Sequence, residues 1–592
     1  MVKLQNPITV GYLKKNLRKT SPRLVLTPAI EKQLQRKVKT DPVVSNMYKA
    51  MQLNAVTIQA QPLLERKLEG RRLLGVSREM LYRMNILCMV YRIDKSPELL
   101  KRIDEELKAV CRFQDWNPSH YLDVAEMSLA VALSVDWVGA YLPSTTVELA
   151  KTCLIEKGIK PSFVEGNSGW VKGTNNWNQV CHGGMIAAAL VIADKDPELA
   201  TRTISRALDG MPYALAAYAP DGVYPEGSTY WSYGTSFTLM TCSMFQSAFG
   251  TDFGLSTYPS LLESADFKIL SVAPSGWYFN FADCGDKRSE QGDIDLAWFA
   301  VKTGNPIYFE ADRFLKSPEQ TGRLDRNSGV GLVWLSQYKQ GEEKKLPLAW
   351  KGLGENPIVI FRGDDSRQFY FGGKGGHGSV NHGNMDAGSF IFELDGVRWV
   401  VDPGNQDYNQ LEQAGFDLWG RCQTCQRWTL LTKNNFGHST LTINNELHNV
   451  DGFASLIDFK DGEQPEATFD LTEVFKGKLK SATRTFRKES NHSLLIADKL
   501  QMNDSTESIT WQLMTTANVI LSENGAVLQQ GDKTLTLQIL SPDLKVSVIS
   551  LDPPPLQLDR RIEGLKRIEI RIPPYLFPTG SGSVSVRLTT GD

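Results

Sequence analysis

Three stretches of this chain gather side chains suited to acid–base chemistry. The first is Thr174-Asn175-Asn176-Trp177-Asn178-Gln179-Val180-Cys181-His182, at the opening of an apolar helical segment. Thr174 or Asn175 suits the N-cap of that helix, yet four amides and a histidine exceed what capping requires. Asn178 and His182 stand at i and i+4, so they share one helix face and can both point into a cleft. The second stretch runs from Asp221 to Gly234 and holds Glu226, Tyr230, Trp231 and Tyr233 behind a Gly- and Pro-containing turn. Such aromatics most often pack a core. At a helix mouth, however, their faces suit sugar rings, and a phenol beside a cation can ionise and act as a base. The third stretch is Gly372 to Gly404, with His377, His382, Asn384, Asp386 and Asp402, continued by His438 in Phe436-Gly437-His438-Ser439. One histidine alone would read as a hydrogen-bonded structural residue. Three of the chain's 7 histidines fall here, and His382, Asp402 and His438 on neighbouring strands would make a metal or a catalytic site.

The segments that must position these clusters change character once along the chain. From about Ser21 to Tyr338 the period is helical, with starts at Thr27-Pro28 and Ser96-Pro97 that pair a capping hydroxyl with a proline of preset φ. Leu99, Leu100, Ile103, Leu107 and Val110 recur at helical spacing, as do Met80, Leu81, Met84 and Leu87. Short links carrying Gly, Pro or Asp predict antiparallel helical hairpins, in an open solenoid or a closed α/α toroid. The lack of a strict repeat favours the toroid. Around Gln340 to Pro357 a linker intervenes, after which the period becomes two. Phe390, Phe392 and Leu394, the turn Asp395-Gly396, and then Val397, Trp399 and Val401 spell a β-hairpin. Short strands continue at Ser439 to Ile443, Ser508 to Met514, Leu544 to Leu551, Ile568 to Ile572 and Ser583 to Leu588, which indicates an antiparallel β-sandwich. The expected organisation is an N-terminal extension (1–20), an incomplete α/α toroid (21–340) and a β-sandwich domain (355–592).

A chain of 592 residues exceeds one core, and 41% hydrophobic with 22% charged residues is a globular composition. The net charge of -2 provides no global field for a polyanion, so an acidic substrate must meet locally placed cations. Lys172, Lys287, Arg288, Arg421 and Arg427 are the candidates. Nucleic-acid binding loses support because no basic block appears. No apolar run reaches the length of a bilayer crossing, and Met1 to Lys19 lacks an apolar signal core. Cys422 and Cys425 form the only CxxC, which reads as a packed pair in preference to a zinc or redox site.

Taken in this order, Asn175 to Val180, Glu226 to Gly234, Asn381 to Phe390 and Val400 to Gly404 resemble the heparinase II/III-like superfamily of polysaccharide lyases, above all the family 15 oligouronide lyases and exolytic heparinases. The resemblance runs from about Ser21 to His438 and more loosely beyond. It implies an α/α toroid joined to an antiparallel β-sandwich, an acidic polysaccharide or oligosaccharide as partner, and a periplasmic or secreted location. It puts the catalytic tyrosine on Tyr230, with Tyr233 as the second choice, and the amide that neutralises the substrate carboxylate on Asn176 or Asn178. The second-wall histidine falls on His382. Further substrate contacts would come from Gln179, His182, Trp177, Glu226, Trp231, His377 and Arg427. The relatives' structural metal site, usually His, Asp and His, falls on Asn384, Asp402 and His438. Asn384 departs from that pattern, which implies weaker zinc, another cation such as calcium, or none. No organic cofactor is implied.

The chemistry implied is β-elimination. A uronate C5 proton is too weakly acidic while the adjacent carboxylate is charged. Asn176 or Asn178, with Gln179 and His182, would offset that charge and stabilise the enolate. Tyr230 or His382 would remove the proton, and Tyr230 would return one to the leaving glycosidic oxygen, giving an unsaturated uronate end. Heparin or heparan sulfate cleaved exolytically is the leading expectation, with oligoalginate as an alternative. A hydrolase on the same toroid would need two carboxylates, Glu226 with Asp221 or Asp386. A non-catalytic carbohydrate-binding protein would instead use the chain's 13 Trp and 18 Tyr.

Overall fold

The computed structural model describes residues 1–289, 293–309, 314–339, 345–363 and 368–590. The chain is helical first and antiparallel β thereafter. It forms two compact units. One comprises Met1–Ala217, Trp231–Ala265 and Ser289–Lys345; the other comprises Tyr218–Tyr230, Asp266–Arg288 and Leu346–Asp592. The sequence marks a single break near the linker, of which residues 340–344 lie outside the described residues. The units are cut differently because two excursions from the helical half, 218–230 and 266–288, belong with the strands.

In the helical unit the expected caps form. Thr27 accepts from Ile30 N and Ser96 from Leu99 N, each just before its proline. The helices Leu74–Asp94, Tyr121–Val138 and Asn176–Ile192 are buried around most of their circumference and pack side by side. Pro97–Cys111 and Pro197–Gly210 carry a single apolar stripe and cover them. The late helix Ser328–Gln337 returns to pack on Pro28–Thr40, Pro42–Ala60 and Leu74–Asp94. The series of hairpins therefore closes on itself, which is what separates a toroid from an open solenoid.

One expectation needs correction here. Among the described residues, Tyr121–Tyr141 is long and apolar enough to cross a membrane by length and composition. It is instead a core helix: it is buried over nearly all of its length, and its Asp123 and Glu126 are paired inside the protein with His120, Arg78 and Arg326.

The second unit begins with a five-stranded meander in chain order: Ala349–Gly352, Ile358–Arg362, Tyr370–Lys374, Phe390–Leu394 and Val397–Val400. Its last turn is the predicted one. Leu394 pairs with Val397 around Asp395 and Gly396, whose φ angles of 54° and 77° are the left-handed pair a type I′ turn requires. An eight-stranded and a four-stranded antiparallel sheet follow. Phe361 and Phe390 of the meander, Phe486 and Val586 of the larger sheet, and Trp511 and Ile570 of the smaller one meet in a single apolar core. Sequence periodicity misses the long pair Leu479–Ser490 and Ser493–Met502, because a fully buried ion pair, Arg484 to Asp498 at 2.7 Å, replaces apolar residues on its inner face.

Candidate active site

The loop between Tyr370–Lys374 and Phe390–Leu394 carries His382, whose φ of 57° lies in the left-handed region that few non-glycine residues occupy. The loop is pinned at several points. Arg427 donates from Nε and Nη2 to the Gly383 carbonyl at 3.2 and 2.8 Å, and Lys374 pairs with Asp386 at 2.6 Å, both buried.

His382 Nδ1 lies 2.7 Å from Asp283 Oδ2 and 3.0 Å from Tyr408 Oη. A carboxylate at that distance assigns the proton to Nδ1 and leaves Nε2 as the acceptor. Asp283 is fully buried and also receives the Lys433 ammonium and, at 3.6 Å, the Arg427 guanidinium. Burial pushes the Asp283 carboxyl up. Lys433, Arg427 and His382 outweigh it and hold the group well below the usual carboxylate range.

The Tyr230 ring lies against that of His382, with centroids 4.4 Å apart and planes 31° from parallel. The Tyr230 hydroxyl donates to Tyr408 Oη at 3.1 Å. Burial, then the charges of Asp283 and Tyr230, push the Tyr408 phenol well above its ordinary value of 10.0. Trp419 packs edge-on against His382 and, more tilted, against Tyr408, at 5.4 and 5.1 Å. Glu226 accepts the Asn381 amide at 2.8 Å, with its other oxygen 3.9 Å from His382 Nε2. Such an array can accept a proton at His382 Nε2 and exchange one at the adjacent phenol, while Asp283 offsets the imidazolium charge.

Asp283, Tyr408 and Lys433 escaped the sequence reading because none sits in a recognisable motif. The one usable signal was a charge directly after the aromatic-rich run Tyr278-Phe279-Asn280-Phe281-Ala282.

Other sequence candidates occupy different surroundings. Asn175 caps its helix by accepting from Trp177 N at 3.1 Å, and Asn176, the first helical residue, is buried. Asn178 and His182 do share a face, but it is turned into the protein and not toward a cleft. Asn178 gives both Nδ2 protons to the Val171 and Gly210 carbonyls at 3.0 Å each, and His182 Nε2 meets the same Val171 carbonyl at 3.1 Å. Burial lowers the His182 pKa to about 3, so the ring is neutral. Gln179, also buried, donates to Thr238 at 3.0 Å. Trp177 is half-buried, edge-on to His120 at 4.7 Å, and lines a cavity of about 340 Å³ with Asn175, Tyr121 and Trp170.

Tyr233 donates to Glu126 at 2.9 Å beneath Arg78 and Arg326. Burial and Glu126 raise its phenol above the ordinary value despite the two guanidinium groups. Trp231 is fully buried against Phe299 at 5.7 Å, a core residue where a sugar platform was expected. His377 bonds Ser379 at 2.8 Å. Arg427, 2% exposed, braces the His382 loop and the Leu418 carbonyl where a sulfate contact was expected.

The residues set for a divalent cation do not fit one. Asp402 accepts from Gly404 N at 2.9 Å and faces His438 Nδ1 at 2.8 Å. Asn384 donates to the Ala282 carbonyl at 3.3 Å and turns its oxygen to the Arg427 guanidinium at 3.5 Å. The buried His438 Nε2 has no hydrogen-bond partner, which would suit a ligand, but one such atom is too few. Among the described residues no group of three His, Cys, Asp or Glu could hold a metal ion. Fixed positive charge is already present: Arg427 stands against Asn384, and the buried Lys433 ammonium feels Asp402.

The hydrolase pairing also lacks its second carboxylate. Asp386 is locked to Lys374, and Asp221 accepts from Leu353 N at 3.0 and 2.8 Å. Cys422 and Cys425, expected as a packed or incidental pair, are joined in a disulfide.

Residues 359–549 match the family model for the heparinase II/III-like C-terminal domain. No curated protein matches the chain. Among solved structures it resembles the heparan sulfate lyase HepC from Pedobacter heparinus, with a TM-score of 0.57 and 14% identity over 90% of this chain and 78% of that one. It also resembles a heparinase III, with a TM-score of 0.58 and 12% identity over 98% and 89%. At such identities the likeness is one of fold: a helical toroid followed by antiparallel β-sheets.

Proposed function

We propose that this chain, heparinase II/III-like in residues 359–549 and in its fold, is a polysaccharide lyase that cleaves uronate-containing glycans by β-elimination. The observation that carries the reading is the Tyr230 ring lying 4.4 Å from that of a His382 whose Nδ1 is held by Asp283. In this reading His382 Nε2 removes the C5 proton. The imidazolium so formed is matched by Asp283, which Lys433 and Arg427 keep ionised. Tyr230 gives its proton to the leaving glycosidic oxygen and is resupplied through Tyr408, to which it is already bonded. No step is routed through a metal. The buried ammonium and guanidinium supply the positive charge that such an ion would bring.

For the substrate, heparan-sulfate-type chains attacked exolytically are the favoured choice, supported by the fold shared with a heparan sulfate lyase, with oligoalginate the alternative. A periplasmic or secreted location is supported by the Cys422–Cys425 disulfide, which suits an oxidising compartment. The test is ultraviolet absorbance of the unsaturated product on a panel of heparan sulfate, unsulfated uronate and alginate oligomers. Absorbance rising with one class and abolished in Tyr230→Phe supports the reading. New reducing ends without absorbance would mark a hydrolase and overturn it.

A further inference from the structure

The helical unit contains a second concave site that the elimination chemistry leaves unused. A cavity of about 770 Å³ is lined by Lys3, Lys172, Arg202 and Arg206 against one carboxylate, Asp209. Asp209 accepts the Asn6 amide at 2.9 Å, and among the described residues no carboxylate pairs with any of the four cations. In a chain of net charge -2, this is a concentration of uncompensated positive charge.

Arg202 and Arg206 stand at i and i+4 on Pro197–Gly210, a like-charge spacing that weakens a helix. They are nevertheless fixed side by side, with their guanidinium carbons 4.6 and 3.7 Å from the Phe163 ring centroid. Arg206 is anchored further by donating to the Ser162 carbonyl at 2.8 Å and hydroxyl at 2.5 Å, and its Nε is buried without a partner. The last turn of that helix contains no basic residue, so neither arginine serves its C-terminal dipole. Burial, and to a lesser degree Arg202, pull the Arg206 pKa down to about 10 against the opposing effect of Tyr121. The cavity wall includes Val171 and Gly210, whose carbonyls hold Asn178 and His182, so it is built on the same framework as the amide cluster.

We propose that this cavity is a subsite for an anionic group, sulfo or carboxylate, of an acidic oligosaccharide, read by Arg202, Arg206 and Lys172. It rests on the reading of the substrate as an acidic glycan, but not on the elimination step. The full chain bearing Tyr230→Phe, slowed about 100-fold or more in our reading, is titrated calorimetrically with a heparin-derived hexasaccharide and an unsulfated hexasaccharide of the same backbone. The titrations are repeated with Lys172→Ser/Arg202→Ser added. Both added positions are exposed, and an unchanged melting temperature certifies the fold. Affinity reduced about tenfold for the sulfated sugar alone identifies a sulfo subsite, and an equal loss for both sugars identifies a carboxylate subsite. Equal affinity with and without the added substitutions, or no binding of either sugar to Tyr230→Phe, overturns the proposal. Because turnover is not read, a chain that proves not to be a lyase could still pass this test.

Discussion

Replacing Asp283 by Asn tests the His382 assignment most directly, since it keeps the shape and removes the charge. Asp283 Oδ2 accepts from His382 Nδ1 at 2.7 Å, and its other oxygen holds the buried Lys433 ammonium. A hydrogen bond to a charged acceptor contributes about 1.5–3 kcal/mol. If that bond is made mainly to the imidazolium of the transition state, kcat should fall roughly 10- to 150-fold. The amide can also present its N–H to the ring and favour the wrong tautomer, so the larger figure is expected. A second effect must be separated from the first. Lys433 and Asp283 are both 0% exposed, and breaking such a pair costs about 3–5 kcal/mol of stability because one charge stays buried alone. Asp283→Asn/Lys433→Met removes both charges, so it should recover most of the lost melting temperature without recovering turnover. The assay is initial-rate ultraviolet absorbance of unsaturated product beside thermal melts of the three proteins. Activity returning together with stability in the double variant would reduce Asp283 to a structural role and refute the reasoning.

Three further outcomes follow from the same contacts. Tyr230→Phe should lose turnover by about 100-fold or more, within the range for removing a general acid or base, with oligosaccharide binding retained. Tyr233→Phe should chiefly lower the melting temperature by removing one hydrogen bond from Glu126, which Arg78 and Arg326 still pair, and unchanged turnover in both variants would defeat the tyrosine assignment. His182 and His448 are buried with pKa values lowered to about 3 from 6.5. The unfolded chain binds protons near 6.5 that the folded one refuses, so stability falls as pH drops from 6.5 toward 3, by about 1.4 kcal/mol per pH unit for each histidine. Urea midpoints at pH 7 and pH 5 check this, and a His448→Gln variant with an equally steep dependence would contradict it. Exhaustive dialysis against EDTA should leave turnover and melting temperature unchanged. A loss restored by zinc or calcium would show that Asn384, Asp402 and His438 hold an ion after all.

The sequence by itself determined the order of architectures, because local rules suffice for it. Ser96 before Pro97 starts a helix, and Asp395-Gly396 between alternating apolar residues turns a hairpin, whatever the rest of the chain does. It also singled out Tyr230 and His382 as candidates, since the types of those residues stand out against their surroundings, and the structure sets their rings 4.4 Å apart. Closure of the helical ring was favoured in the sequence only by the lack of a strict repeat; the contact that makes it, Ser328–Gln337 meeting Leu74–Asp94 across more than two hundred residues of chain, belongs to the tertiary structure. Burial was not legible. Helical spacing put Asn178 and His182 on one face but could not say that the face looks inward, onto the Val171 and Gly210 carbonyls. Only the tertiary structure brought Asp283, Tyr408 and Lys433 around His382. Charge partners chosen by proximity leave no periodic trace in a sequence, yet they decide which nitrogen of the imidazole carries the proton.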